Sequence, residues 1–222
     1  MALALDEMSA RFVTGEIKMA AEKVPAFIVS ADGHVDEHED IFDEVVSGVA
    51  DVVSRMKLGP GLDLSSEMGP LISAEQRETV MGYIQSGKES GAKLITGGQA
   101  LEGKGYFVQP TIFSHTNQDL KIAREEIFGP CCHIRPFDEE EEAVALANDT
   151  PYGLCCSLWT ENLSRAHRVS AQMETGLTWV NCWFLRDLRT PFGGTKQSGI
   201  GREGGIHSLE FYSELRNVCV KL

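Results

Sequence analysis

An α/β fold with a mainly parallel sheet is the class this sequence predicts, on three observations. Between Ala92 and Cys182, short apolar runs alternate with stretches of helical periodicity. Two longer helical patterns precede them, each bounded by recognisable stop or cap signals. The composition, 42% hydrophobic and 24% charged over 222 residues, is that of a globular chain long enough to bury a core. The length suits one large domain or two small ones. No internal repeat or long linker interrupts it.

Residues 1–39 carry little pattern beyond a short strand expected at Phe27–Ser30. The "SADGHVDE" that follows resembles the opening of some metal-dependent amidohydrolases. No later cluster of His and Asp supplies the remaining ligands. Asp32, His34, Asp36, Glu37 and His38 are therefore read as a solvated acidic loop, with no metal site. From Asp40, "DIFDEVVSGVADVVSRMKLG" places Ile41, Val45, Val49, Val52, Val53 and Met56 on one helical face, and Gly59-Pro60 stops it. Ser73 reads as the N-cap of a second helix, with Gln76 three residues on as in a capping box. That helix runs to about Ser90, and Gly91 closes it.

"AKLITGG" is a short strand, and "GYFVQPTIFSH" is an extended, hairpin-like stretch in which Pro110 marks an edge or bulge. "CCHIRPF" is a strand and "DEEEEAVALAND" a helix capped by Asp138. The run of acids is explained by the positive end of the helix dipole. "CCSLWT" is a strand, "NLSRAHRVSAQM" a helix and "TGLTWVNC" a strand.

Several function classes are excluded. The net charge of −13 argues against nucleic acid as a general partner. No run approaches the roughly 18 apolar residues of a membrane span. The start, "MALALDEMSARF", lacks the basic region and apolar core of a secretory signal. Cysteines at 131, 132, 155, 156, 182 and 219 show no C-x-x-C spacing. Reduced, mostly buried thiols in a cytoplasmic protein are expected.

Two short stretches carry possible chemistry. In "AREEIFGPCCHIRPF", Ala123–Phe137, a pair of acids runs into an aromatic and a backbone break. A carboxylate accepts hydrogen bonds from hydroxyls and an aromatic face packs a planar ring, so a small-molecule site competes with a solvated loop. Residues 199–204 spell a literal G-x-G-x-x-G. The preceding Gly193, Gly194, Thr195, Lys196, Gln197 and Ser198 are loop-like, and only 18 residues follow Gly204. A dinucleotide fingerprint needs a strand before it and a full βαβ unit around it. These glycines are read instead as letting a loop lie flat beside a pocket.

"EEIFGP", "GLTWVNCW", "PFGGTKQSGIGRE" and "FYSELRNVCVKL", in that order, resemble the C-terminal part of an aldehyde dehydrogenase. The likeness is close over 119–222 and looser back to Asp40; "NCWFLRDLRTPFGG" is similar to the subgroup acting on 2-hydroxymuconic and 2-aminomuconic semialdehydes. The resemblance implies an incomplete aldehyde-dehydrogenase catalytic domain over 40–222, with 1–39 unassigned. It implies NAD- or NADP-dependent oxidation of a small-molecule semialdehyde to its acid. Glu126 then corresponds to the acid that holds the nicotinamide ribose, and Phe128 to the aromatic beside the nicotinamide; Glu125 is structural. Phe192 lines the substrate tunnel, and Asn181–Arg189 forms the loop over its mouth. Arg186 or Arg189 grips a substrate carboxylate, with Arg186 preferred. Asn217–Leu222 forms an oligomerisation strand in a homo-oligomer.

Two family features are absent from the sequence. One is a Glu-Leu-Gly-Gly-Lys-like stretch carrying the general base. The other is a Gly-Gln-x-Cys nucleophile, expected near Val29 and Ser30; no cysteine precedes Cys131. Cys182, nearest the substrate loop, is the only substitute. A truncated dehydrogenase, inactive alone and binding the cofactor weakly or not at all, is the expectation. A folded remnant with a binding or assembly role is the alternative.

Overall fold

The computed structural model describes residues 27–30, 39–115 and 117–222. The acidic stretch Asp32–His38 lies outside them. In chain order the elements are β1 (Phe27–Ser30), α1 (Glu39–Arg55), α2 (Ala74–Glu89), β2 (Lys93–Thr96), β3 (Thr111–Ser114), α3 (Lys121–Arg124) and β4 (Cys131–Ile134). There follow α4 (Glu140–Asn148), β5 (Tyr152–Gly153), β6 (Cys155–Trp159), α5 (Leu163–Ser170), β7 (Leu177–Val180), β8 (Thr195–Lys196) and α6 (Gly205–Tyr212).

The strands form two three-stranded sheets, ordered β2-β3-β4 and β1-β6-β7, and a small β5-β8 pair. Parallel pairing joins β3 to β4 and β6 to β7, while β1, β2 and the β5-β8 pair are antiparallel. The α/β alternation is as expected, with antiparallel strands added at the sheet edges. Pro110 immediately precedes β3 and donates nothing to the ladder.

Each sheet has its own core. Residues alternate across β3, so Phe113 joins Val80, Ile84, Ile122 and Ile127 on the α2 side, while Ile112 and Ile134 meet Val46 and Val53 of α1 on the other. Around β6, Cys156 and Leu158 pack with Ala143, Val144, Ala147, Val169 and Met173. Both faces of the parallel β3-β4 pair are covered, as parallel sheets require.

The α1 face keeps the expected Val49, Val53 and Met56 but is rotated toward Phe42 and Val46 in place of Val45 and Val52. Val46 and Val53 are buried, with Phe42, Val49 and Met56 packed against the same cluster. The sequence carries apolar doublets at 41–42, 45–46 and 52–53, so two neighbouring faces satisfy the helical period equally. Packing against Ile112 and Ile134 selects one of them.

Ser73 caps α2 as expected, its Oγ accepting from the Gln76 amide at 3.2 Å. Asp138 does not cap α4. The N-cap is Glu139, without a side-chain bond, and the Asp138 amide instead donates to Glu142 Oε2 at 3.0 Å. The acidic run also does more than face a dipole. Glu140 accepts from Arg165 and Arg168 of α5 at 3.0 and 2.7 Å, fastening α4 to α5 over the β6 face.

The strand expected at Asn217–Leu222 is one that pairs between subunits, and within the single chain the segment is unpaired. Residues 217–222 are exposed and carry no strand pairing. A strand exists only through a neighbour's backbone, and this segment meets none among the described residues.

At the ends of β3 and β4, His115 Nε2 and His133 Nδ1 face each other at 2.7 Å, both rings buried. Facing nitrogens at this distance share a single proton. Burial first, and the nearby Arg135 cation second, pull the His115 pKa down to about 4. The folded state therefore holds fewer protons than the unfolded chain between the unfolded value of about 6.5 and about 4. Stability is full above that window and falls as pH drops through it, by on the order of 2–3 kcal/mol. Urea midpoints measured from pH 7.5 to 4 check this, and His115→Gln flattens the acid limb.

Candidate active site

The turn after α3 positions the acid–aromatic pair. Ile127 is buried in the α2-side core, and its neighbours Glu126 and Phe128 are thereby turned outward, Phe128 73% exposed. Phe128 has φ 50°, a left-handed conformation costing a bulky residue about 1–2 kcal/mol. Two contacts with α2 hold it there. Gln76 Nε2 donates to the carbonyls of Ile127 at 3.3 Å and Phe128 at 3.1 Å. Gly129 packs so closely on α2 that a Cβ would lie 2.5 Å from Val80 Cγ2.

Glu125 is tied to the fold. Tyr83 Oη donates to its Oε2 at 2.8 Å, and Lys121 lies over the Tyr83 ring. Burial, then the Glu125 contact, raises the phenol to about 12, so Tyr83 remains the donor.

The second group of residues follows β7. Asn181 begins it, with φ 54° and a two-way amide pairing to the Thr160 backbone at 2.8 Å each way. Trp179 Nε1 donates to the Leu185 carbonyl at 2.8 Å and pins the loop from beneath. Arg186 and Phe192 are brought together: the guanidinium carbon lies 3.9 Å from the ring centroid. Arg186 Nη2 also meets Glu203 Oε1 at 2.9 Å. Phe192 and Glu203 pair through their backbones in both directions at 2.8 Å.

Arg189 stands apart. Its Nε bonds Asp187 at 2.9 Å, and this pairing holds the Asp187 carboxyl below its ordinary range. The sequence contained the Glu203 signal, in "GRE", but loop contacts between residues seventeen apart have no periodicity to read.

The glycine-rich segment passes beneath this loop. It leaves the two-residue β8 and enters α6 through Gly204, whose φ is 97°. A Cβ at Gly204 would collide with the Thr190 carbonyl. Glycine is needed there for backbone approach.

Burial works against thiolate formation at Cys131, Cys132 and Cys182. Burial raises Cys131 and Cys132 to about 12. Cys182 is raised too, by burial, against a smaller opposing effect from the Val180 backbone. Cys156 Sγ lies 3.3–3.4 Å from the Thr175 and Thr178 hydroxyls, inside the β6 core.

Two helix-flanked mixed sheets, one bearing the exposed Glu126–Phe128 turn and the other an arginine loop closed by a glycine-rich return, define an α/β protein whose candidate site residues are concentrated on loops at its strand ends. The chain belongs to the aldehyde dehydrogenase family, which residues 35–218 match. It is 56% identical over 187 residues to a 2-hydroxymuconic semialdehyde dehydrogenase of Pseudomonas sp. (strain CF600), covering 82% of this chain and 38% of that protein. It is 49% identical to a 2-aminomuconic 6-semialdehyde dehydrogenase of Pseudomonas sp., over the same shares of the two chains. The structure matches an NAD+ complex of the Bacillus cereus aldehyde dehydrogenase with a TM-score of 0.79 and 42% identity, over 82% of this chain and 37% of that one. The chain thus spans under two-fifths of the length of these relatives. Among the described residues, no helix is long and apolar enough to cross a membrane.

Proposed function

We propose that this chain is the C-terminal part of an NAD- or NADP-linked oxidoreductase converting a muconic-type semialdehyde into its carboxylic acid. The observation that carries the reading is the Glu126-Ile127-Phe128 alternation. A carboxylate and an aromatic face are presented outward together, held by Gln76 against the helix behind them. A carboxylate acceptor suits ribose hydroxyls, and an exposed ring suits a flat heterocycle. The residues present therefore fit one edge of a nicotinamide nucleotide, which supplies hydride acceptance when bound. Glu126 would fix the ribose, and Phe128 would limit the swing of the ring.

Arg186 supplies the substrate preference. Its guanidinium is backed by Phe192 and can receive a carboxylate through its remaining N–H groups. Phe192 then belongs to the substrate passage, Arg189 to the loop surface, and residues 40–222 to one partial catalytic domain. The 217–222 segment becomes a strand on pairing with another copy, and the cytoplasm is the proposed location. In a complete enzyme carrying this segment, Arg186→Ala raises KM for an acidic semialdehyde about 10- to 100-fold, the worth of a charged hydrogen-bonded pair. KM for a neutral aldehyde of similar size stays unchanged. Equal effects on the two substrates refute the assignment.

The second reading is a non-catalytic remnant with an assembly role. Exposed Leu209, Phe211, Leu215, Val218 and Val220 favour it, since they crowd one end of the chain.

A further inference from the structure

Two acids stand in or beside the arginine loop, and both are occupied. Asp187 is held by Arg189, two residues along, and Glu203 is held by Arg186 across the loop. The second pairing is built differently. Glu203 is fixed by backbone bonds to Phe192 on both sides, and the Phe192 ring is the surface on which the Arg186 guanidinium rests. The cation, its aromatic support and its counter-ion thus form one unit, although residues 186, 192 and 203 come from separate parts of the sequence. Glu203 takes Nη2 by a single contact at 2.9 Å and does not form a two-point fork.

We propose that Glu203 is a specificity-determining residue, an internal counter-ion that a carboxylate ligand must share or displace at Arg186. The inference rests on the reading of Arg186 given above and extends it. A substrate carboxylate offers two oxygens to the guanidinium fork, where Glu203 uses one. A bidentate anion therefore gains a contact that the internal carboxylate lacks. Glu203 remains nearby as a like charge and weakens the grip. The empty loop is kept charge-balanced, and binding of an acid is kept reversible.

The test uses the 222-residue chain and two probes. One is trans,trans-muconate, an unsaturated six-carbon diacid; the other is its neutral dimethyl ester. Ligand-observed NMR and the arginine 15Nε resonances report binding to the wild type, Glu203→Gln, Arg186→Ala and Arg189→Ala. Glutamine keeps the size of the side chain and a hydrogen-bonding oxygen toward Arg186, so only the charge changes.

The expected result is muconate binding about three- to tenfold tighter in Glu203→Gln, the effect of removing one like charge at near-contact distance in a partly wetted site. Binding is lost in Arg186→Ala and retained in Arg189→Ala, and the ester does not respond to Glu203→Gln. A wild type too weak to measure, with a measurable Glu203→Gln, is the same result at its limit. If Arg186→Ala loses muconate while Glu203→Gln binds it equally or more weakly, the counter-ion role is overturned and Arg186 stands. If Arg186→Ala binds as well as the wild type, or if no variant binds, the Arg186 reading fails and the inference fails with it. A Glu203→Gln gain that extends equally to the ester shows a general loosening of the loop and also overturns it.

Discussion

Mixed with NAD and a muconic semialdehyde, the isolated 222-residue chain forms no NADH above background. Oxidation in this family's manner needs a thiolate, a base that activates water and a bound nicotinamide at one point. Burial pushes the Cys131 and Cys132 thiols up to about 12, far from the thiolate form at pH 7. Cys182, nearest the arginine loop in sequence, is shifted in the same direction. Glu126 and Phe128 offer one edge of a cofactor site, and each tenfold of affinity missing elsewhere corresponds to about 1.4 kcal/mol. Absorbance at 340 nm and calorimetric titration of NAD provide the measurement. Turnover that vanishes in Cys182→Ala would contradict the expectation and make the loop thiol the nucleophile.

Phe113→Ala costs the fold about 3–5 kcal/mol, a large fraction of the roughly 5–15 kcal/mol that holds a domain. Phe113 is fully buried on the central strand of its sheet, and α2 approaches it through Gly87, where a Cβ would already lie 3.1 Å from the ring. That close fit leaves no side chain ready to fill the void. With a slope of about 2 kcal/mol per molar urea, the midpoint falls by about 2 M. A shift below about 0.5 M would show that the helix and sheet close over the cavity. Leu64→Ala, on a fully exposed side chain, is the control and leaves the midpoint in place.

Local signals were legible in the sequence where one residue's chemistry decides them. The Ser73 cap and Gly91 after α2 both required only near neighbours. What could not be read depended on contacts between distant segments. The α1 face was ambiguous because adjacent apolar residues satisfy either rotation. Asp138 and Glu139 are equally plausible caps until the first turn is placed. The Gln76 side chain, suggested by its spacing as half of a capping box, turns instead to carbonyls 51 and 52 residues away. Candidate site residues could be proposed as motif positions, yet Glu203 acquires its place only when the Phe192 backbone pairs with it. The helix at Lys121–Arg124 is too short to leave a period at all.

The separate cores have a consequence for cooperativity. One sheet is packed between α1 and α2 by residues from the first two-thirds of the chain, and the other is packed against α4 and α5 by residues that follow. Among the described residues, no buried apolar cluster spans both, and the ion pairs Arg124–Asp149 and Arg135–Glu142 join them. The Arg124–Asp149 pair, half open to solvent at Asp149, adds little energy. Two units of local opening are therefore expected, the second taking in β1 from the start of the chain. The Glu126–Phe128 turn belongs to one and the arginine loop to the other, so either can be lost while its counterpart remains ordered.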